Sequence, residues 1–442
     1  MSRSLASDAF RCAISLVTLA LSSTVQAQAA APTVELRNAQ WFNGRGFVLE
    51  SRWVRGEEFV KRPARSTDSV VDLTGRWMVP PYGDAHTHSP DSPFAFESIR
   101  DQYLRVGVFY VQVLTNSREG RRAIAARVNI PASVDVAYAD GAVTATGGHP
   151  QVLYESLGLY RRFWQVDSER YAAARSLARD GDTYHRLDSL PQLAPIVALL
   201  SRDTLPVLKV MLLDSEHWTQ RHRDSTQFGF IGMNPSLLPP LVDAAHRLGR
   251  RVWAHIETPY DLEVGLQAGV DAFAHVPGSG AAAASDSVAA SLVVPESTVR
   301  RAGRRRVFMT PILGLSSRAV SDDTAKARRF HDVMVRNTLT LRRAGVRMVS
   351  GSDTYSDADV VRREPAAMAL LLGLTPVEEL RLRAVDTPTA IFPQRRIAQL
   401  RHGFEASALG LRCNPLVDRA CLDAIESLLK RGRWLTLTAL RE

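Results

Sequence analysis

The chain has 442 residues, of which 45% are hydrophobic and 23% are charged. This composition is that of an ordinary globular protein with ample length for a buried core. The formal net charge is +9, but the arginines are spread along the chain and are not interleaved with aromatic residues. A nucleic-acid-binding surface is therefore not expected.

The N-terminal segment has the features of an export signal. Arg3 and Arg11 precede an apolar run at 13–20, and small residues at 25–29 offer a cleavage site. The run is too short to span a bilayer. We therefore expect residues 1–29 to be a signal peptide cleaved near Ala27 or Ala29. The mature protein would then be secreted or periplasmic without membrane anchoring. An amphipathic first helix is the alternative.

In the remainder of the chain, the predicted pattern of secondary structure changes twice. Residues 33–75 alternate short apolar runs with glycine and charged turns, which is typical of short β-strands. From about 82 to 392, apolar strands alternate with amphipathic helices. The strand candidates are the one containing His86 and those at 106–114, 134–146, 206–213, 251–256, 271–276, 306–311 and 346–350.

This alternation predicts an α/β fold, a (β/α)₈ TIM barrel, over residues 79–392. Residues 404–411 and 433–440 again resemble strands. We therefore expect both chain ends, 30–78 and 393–442, to join in one small β-sandwich domain beside the barrel. The arginine-rich segment 300–306 is expected to be a solvated helix end before a strand.

A possible metal site lies at the end of the first barrel strand, in the segment 79–88 that contains Asp84, His86, Thr87 and His88. Successive side chains of a strand point to opposite faces, so His86 and His88 share one face while Thr87 turns away. Neutral imidazole is the commonest nitrogen ligand of zinc-like cations. The spacing therefore indicates two ligands for one metal.

Other ionisable residues end or interrupt the later apolar runs. A barrel enzyme builds its site at the C-terminal ends of its strands. A single histidine at such a position is usually a core residue, but a set of this size indicates a common site. Its members are His86, His88, Lys209, His255, His275 and Asp353.

Lys209 is unusual because the chain uses arginine almost everywhere else. The other lysines are Lys61, Lys326 and Lys430. Burying an ammonium group in an apolar strand is costly unless the group is paired or altered. Burial favours the neutral amine, which can add carbon dioxide and become a carbamate able to bridge two cations. Arginine could not do this.

The assembled motifs resemble those of the amidohydrolase superfamily of metal-dependent hydrolases, in particular its imidazolonepropionase-like and prolidase-like exported members. The resemblance covers nearly the whole mature chain. It rests on the motifs at 72–75, 84–88, 146–149, 244–249, 268–271, 351–353, 387–390 and 414–416, together with Lys209, His255 and His275. Residues 80–83 and 404–411 depart from the family pattern, outside the ligand positions.

The resemblance implies a centre of two divalent metal ions, with zinc favoured. His86 and His88 would hold one ion and His255 and His275 the other. Lys209, as N6-carboxylysine, would bridge them. Asp353 would bind the first ion and also act as the catalytic proton shuttle between a bridging hydroxide and the leaving group.

His149 follows two glycines in Thr146-Gly147-Gly148-His149. The family places such a histidine in the substrate pocket, so His149 is a second catalytic candidate. A surface loop position is the alternative. The remaining histidines lie in helix-like or polar segments and are interpreted as structural; they are His185, His217, His222, His246, His331 and His402.

The resulting hypothesis is an exported binuclear amidohydrolase that cleaves an amide C–N bond in a dipeptide, an N-acyl amino acid or a similar small molecule. A cyclic amide, lactone or phosphoester hydrolase and a non-catalytic binding protein are the alternatives. A homo-oligomer is possible, and the substrate and native metal stay open. Cys413 and Cys421 form either a disulfide or two free thiols.

Overall fold

A computed structural model describes residues 31–64, 67–160, 179–278, 286–316, 324–355 and 357–440. The expected signal peptide lies outside the described residues. The strands are β1 Thr33–Phe42, β2 Phe47–Arg55, β3 Glu58–Val60, β4 Ser69–Asp72, β5 Trp77–Val79, β6 Tyr82–Thr87, β7 Val108–Val113, β8 Asp135–Tyr138, β9 Ala142–Thr144, β10 Tyr184–Arg186, β11 Val207–Met211, β12 Arg251–His255, β13 Ala272–Ala274, β14 Phe308–Thr310, β15 Arg347–Met348, β16 Ala408–Leu411, β17 Ile425–Lys430 and β18 Arg433–Leu435.

The helices lie mainly between the strands of the central region. They are α1 Phe96–Arg105, α2 Arg118–Ala123, α3 Gln151–Tyr160, α4 Leu193–Leu200, α5 Trp218–Arg223, α6 Leu238–Arg247, α7 Pro259–Ala268, α8 Asp286–Ser291, α9 Glu296–Arg305, α10 Leu313–Ser316, α11 Thr324–Arg343, α12 Ala358–Leu371, α13 Pro376–Arg381 and α14 Thr387–Ile391. A π-helical turn, Leu382–Asp386, joins the last two. No helix in the described ranges has the length and apolar character needed to cross a membrane.

Strands from both chain ends form one eight-stranded sheet in the order β18-β17-β16-β5-β1-β2-β3, with β4 paired to β1. The expected joining of the two ends is therefore present in this sheet. A sandwich of two sheets stays a prediction. A disulfide links Cys413 to Cys421, whose Cα atoms lie 5.4 Å apart. This resolves the alternative between a bridge and free thiols.

The central strands are parallel and form two sheets, one of order β6-β7-β8 and one of order β10-β9-β11-β12-β13-β14-β15. Backbone contacts among the described residues connect these two sheets. The Ala85 amide donates to the Ser350 carbonyl at 2.8 Å, and Ala139 forms an isolated parallel bridge with Val207. The α/β class with parallel strands is thus confirmed, whereas closure into a barrel stays a prediction.

Two sequence predictions differ in detail from the structure. The expected strand at 134–146 is divided into β8 and β9, because residues 140–141 interrupt the strand pairing between them. Strand β10 carries His185, which is buried and lies 3.6 Å from Asp140. The expectation that His185 lies in a helical or polar segment was therefore wrong, although a structural role remains consistent with its burial.

The central strands are apolar on both faces because each face is covered. Val252 and Ala254 of β12 pack in a cluster with Leu241 and Leu262 of the neighbouring helices. Trp253, which points to the opposite face, belongs to a second cluster that reaches the sheet of the chain ends. Burial on both faces explains the continuous apolar runs of these strands. The arginine-rich end of α9 is exposed ahead of β14, as expected.

A buried charged cluster joins β8 to the sheet of the chain ends. The Asp135 carboxylate lies 2.7 Å from Lys430 Nζ, 2.7 Å from Arg395 Nη2 and 2.9 Å from Arg431 Nη2. Asp135 and Lys430 are fully buried. Lys430, one of the few lysines, therefore has a structural ion-pair partner, unlike Lys209.

Candidate metal centre

His86 lies on β6 and His88 directly follows that strand, with both side chains on one face. Their ring centroids lie 5.6 Å apart. Thr87 points away and hydrogen-bonds the Thr354 carbonyl at 2.8 Å. The alternation expected for a strand therefore brings the two imidazoles together.

The loop carrying Asp353 is fixed to β6 by backbone hydrogen bonds. The Asp353 amide donates to the His86 carbonyl at 2.7 Å, and the His88 amide donates to the Thr354 carbonyl at 2.9 Å. Gly351 permits this approach, since a Cβ at that position would lie 2.6 Å from the His86 Cβ. The close contact therefore requires glycine.

The Asp353 carboxylate is the point on which three histidines converge. Its Oδ1 lies 3.2 Å from His86 Nε2 and 2.9 Å from His88 Nε2, and its Oδ2 lies 3.8 Å from His275 Nε2. His86, His275 and Asp353 each offer an atom to a common point, with these atoms within 4.8 Å of one another. Such a nitrogen and oxygen set is suited to zinc or a similar divalent cation.

His275 and Asp353 reach this point through unusual backbone conformations. Their φ angles are +73° and +51°, in the left-handed region that non-glycine residues rarely adopt. Such conformations cost on the order of 1–3 kcal/mol each and are concentrated at functional sites. The position of the two side chains is therefore maintained at an energetic cost.

His255, at the end of β12, places its ring 4.5 Å from that of His275. No hydrogen-bond partner among the described residues reaches His255 Nε2 or His275 Nδ1. Burial lowers the pKa of His255 well below its usual value and that of His275 to about 4. Neutral imidazoles with an available nitrogen are the form that binds a metal.

Lys209 lies inside the parallel sheet on β11, in register with Trp253 of β12. Its side chain is buried, and within the described ranges Nζ has no hydrogen-bond partner. Burial lowers the pKa of Lys209 to about 7, a shift only partly opposed by the charge of Asp353. An unpaired buried amine is costly, so the position fits a lysine that is chemically altered or bound to another group.

The electrostatics of Asp353 favour the carboxylate form. Burial alone would raise its pKa, but the electrostatic influence of the neighbouring His86 and the hydrogen bond with His88 outweigh burial and hold the pKa well below its usual value. The described residues therefore combine neutral imidazoles, one carboxylate and one unpaired amine. This donor set fits divalent cations.

His149 lies beside this cluster rather than on an isolated surface loop. Its ring centroid is 5.4 Å from that of His255, and its amide donates to the Ile231 carbonyl at 2.8 Å. Gly148 allows the loop to pack tightly, since a Cβ there would meet Thr144 Oγ1 at 2.3 Å. Burial lowers the pKa of His149 to about 4, so its ring is neutral near pH 7.

Several residues that lie near the centre were not predicted from the sequence. Asp84 accepts hydrogen bonds from the His86 amide at 3.2 Å and from the Ser352 amide at 3.0 Å, so it holds the two ligand-bearing segments together. Tyr355 stacks on His88 with ring centroids 4.8 Å apart. The signal for Asp84 was its position two residues before His86, on the same strand face.

Glu257 is a further carboxyl group beside the centre, at a position that sequence patterns did not indicate. Its Oε1 lies 3.5 Å from His255 Nε2. Burial raises its pKa to about 8, and the nearby Asp261 acts in the same direction. Its spacing of two residues from His255 could have indicated a shared face.

Three other histidines contact residues outside this group. His217 pairs with Asp214 at 2.8 Å, and His246 pairs with Asp271 at 2.9 Å. His222 stacks on Trp218 at 4.6 Å. These contacts agree with the structural interpretation of these three residues.

The fold and the histidine cluster define the class of protein to which this chain is similar. No family model matches the chain. The solved structures that match include an ochratoxinase, an amidohydrolase and a prolidase, so the predicted resemblance is confirmed at the level of the fold. These likenesses carry 17–20% sequence identity and establish the fold.

Among individual proteins, the chain is 25% identical to the ochratoxinase of Aspergillus niger over 237 residues, which is 52% of this chain and 46% of that protein. The alignment thus spans about half of the curated relative. The crystal structure of A. niger ochratoxinase matches with a TM-score of 0.67 and 20% identity, over 92% of this chain and 96% of that chain. A prolidase complexed with N-methylphosphonate-L-proline matches with a TM-score of 0.68 and 17% identity, over 91% and 99%.

Proposed function

We propose that this chain is a metal-dependent amidohydrolase that cleaves an amide C–N bond in a small molecule such as a dipeptide or an N-acyl amino acid. The observation that carries the proposal is the convergence of His86, His88 and His275 on the Asp353 carboxylate at the ends of parallel strands. An ochratoxinase, an amidohydrolase and a prolidase among the relatives support an amide bond as the target.

The donor set would hold two divalent cations, with zinc favoured. His86, His88 and Asp353 would bind the first cation, and His255 and His275 the second. Lys209, as N6-carboxylysine, would contact both. Bound cations of this kind lower the pKa of water towards about 7 and polarise a carbonyl group.

Asp353 would move the proton during the reaction. Its carboxylate, kept ionised by the neighbouring histidines, would accept a proton from the attacking water. The resulting carboxylic acid would return that proton to the nitrogen of the leaving amine as the C–N bond breaks. Positioned proton transfer of this type contributes about 10²- to 10⁴-fold to a rate.

His149 would orient the substrate. Because its ring is neutral, it carries one N–H group that can donate a hydrogen bond to a substrate carbonyl or carboxylate. The main-chain bond from its amide to Ile231 fixes the base of the side chain. His149 would therefore contribute position and polarity rather than charge.

The proposed domain architecture and cellular location are based on the sequence. Residues 79–392 would form a closed (β/α)₈ barrel, and residues 30–78 with 393–442 a separate small β domain. The contacts of Ala85 with Ser350 and of Ala139 with Val207 support closure. Export to the periplasm or outside the cell is proposed from residues 1–29.

The test is a metal analysis combined with a hydrolysis screen. Zinc-loaded mature protein should contain two equivalents of metal and release amine from dipeptides or N-acyl amino acids, and chelation should abolish this release. Cyclic amides, lactones and phosphoesters in the same screen address the other hydrolase classes. Metal-loaded protein that turns over no amide would contradict the proposal.

A further inference from the structure

Thr310, the last residue of β14, contacts the three segments that converge on the candidate metal centre. Its hydroxyl oxygen lies 3.4 Å from Nδ1 of His86 on β6. Its carbonyl oxygen accepts a hydrogen bond from the His275 amide at 2.8 Å. A Cβ added at Gly351, two residues before Asp353, would lie 3.0 Å from the Thr310 methyl carbon. Thr310 therefore lies where the two histidine-bearing segments and the Asp353 loop meet.

The contact between the Thr310 hydroxyl and the His86 ring joins the two parallel sheets. Thr310 belongs to the sheet that contains β14, and His86 belongs to the sheet of β6, β7 and β8. The two residues are 224 positions apart in the chain, and both are buried. A buried ring N–H that loses its acceptor pays its full desolvation cost. Removal of the Thr310 oxygen should therefore have a measurable effect on His86.

Packing restricts the direction in which the Thr310 hydroxyl points. Threonine is branched at Cβ, so its χ1 angle has few accessible values. Its methyl carbon packs beside Gly351, while its hydroxyl lies on the side of His86. The oxygen is thus held next to the imidazole before any ligand binds.

This contact bears on which nitrogen of the His86 ring can bind a cation. A metal-bound imidazole is neutral, so one of its two nitrogens carries a proton. The nitrogen that approaches the Asp353 carboxylate is Nε2, at 3.2 Å. Nε2 can offer a lone pair there when the proton lies on Nδ1. Among the described residues, the acceptor within reach of that Nδ1–H group is the Thr310 hydroxyl.

We propose that Thr310 is a positioning residue of the metal centre. By accepting a hydrogen bond from Nδ1, it holds His86 in the tautomer and ring orientation that leave Nε2 free to bind a cation. The inference rests on the proposed function, because His86 is assigned there as a ligand. Thr310 acts through His86 and not on the substrate. Partners of this kind orient metal ligands and tune their affinity.

Three substitutions at position 310 separate the contribution of the oxygen from that of the methyl group. Thr310→Val keeps the shape and the β-branching but lacks the oxygen, Thr310→Ser keeps the oxygen but lacks the methyl group, and Thr310→Ala lacks both. The zinc affinity of each full-length, metal-free protein is measured by competition with a chelator. Thr310→Val and Thr310→Ala should bind zinc about 10- to 100-fold more weakly than the wild type. Thr310→Ser should bind zinc nearly as tightly as the wild type.

The matched control is Thr338→Val, the same change at a buried threonine of α11. Its hydroxyl donates to the Met334 carbonyl at 2.7 Å, away from the histidine cluster, and the variant should bind zinc as the wild type does. Urea unfolding of the metal-free proteins shows whether each variant is folded. Thr310→Ser and Thr310→Ala differ only in the oxygen, so this pair decides the question even where Thr310→Val does not fold.

Two results would overturn the proposal. Tight zinc binding by Thr310→Val with weak binding by Thr310→Ser would assign the effect to packing of the methyl group. Equal affinities in all the variants would show that position 310 has no influence on the metal. Because no substrate is present, either result is independent of whether the zinc-loaded wild type hydrolyses amides.

Discussion

Asp135 makes the most direct prediction about stability. Its carboxylate binds Lys430, Arg395 and Arg431, and Asp135→Asn removes the negative charge while nearly preserving the volume. Arg395 and Arg431 keep 27% and 16% side-chain exposure, so water can partly solvate them, whereas the Lys430 side chain is 0% exposed. The cost therefore arises mainly from the buried ammonium group that is left unpaired.

Breaking a buried pair in this way typically costs about 3–5 kcal/mol, a large fraction of the roughly 5–15 kcal/mol that stabilises a typical protein. We expect Asp135→Asn to lose about this amount in urea unfolding. Lys430→Met added to Asp135→Asn should recover part of the loss, since the unpaired charge is then absent. The control Glu296→Gln disrupts the exposed ion pair of Glu296 with Arg300 and should cost less than about 1 kcal/mol.

The same cluster gives a pH dependence with a defined sign. Burial alone would raise the pKa of Asp135, but the charges of Lys430 and Arg395 outweigh burial and lower it. A lowered pKa contributes stability above the unfolded value of about 3.9, and this contribution is lost as the pH falls through the folded value. Wild type should therefore lose more stability than Asp135→Asn below about pH 4. A loss under about 0.5 kcal/mol for Asp135→Asn at neutral pH would refute the reasoning.

Three further predictions concern the site and the chain end. Gly351→Ala should weaken metal binding about 10- to 100-fold in chelator competition, because the new Cβ would press on His86. The control Gly46→Ala adds a Cβ in open space and should bind metal as the wild type does. Equal metal affinities for the two variants would contradict this reasoning. His149→Ala should keep its metal but lose much of its turnover in amide hydrolysis. Full activity in this variant would show that His149 does not contribute to catalysis. Thiol titration of denatured, unreduced mature protein should find no free thiol from Cys413 and Cys421, and two titratable thiols would exclude the bridge.

The site residues at the strand ends could be predicted from the sequence because local patterns indicate them. His86 and His88 share a face through the two-residue period of a strand, and His255 and His275 stand at the ends of apolar runs. The structure brings these four together with Asp353. Their assignment as ligands remains the proposal.

Contacts between residues far apart in the chain could not be predicted because no local sequence pattern specifies them. Asp84 meets Ser352 across 268 positions, and Asp135 meets Lys430 across 295. Strand β10 was missed because its three residues, 184–186, carry too short a pattern. Asp261 likewise accepts hydrogen bonds from the amides of Ser215 and Glu257, which lie in two separate segments, and periodicity does not reveal this link.

The central claim is that Lys209 joins two bound cations as a carboxylated amine. The most direct measurement is the metal content of Lys209→Ala by elemental analysis, beside wild type and the exposed control Lys61→Ala. Wild type and Lys61→Ala should hold two metals per chain. Lys209→Ala should lose at least one metal and its activity, because a methyl group cannot offset the repulsion of two dications, and short carboxylic acids should partly restore both. A Lys209→Ala protein with two metals and normal turnover would contradict the account.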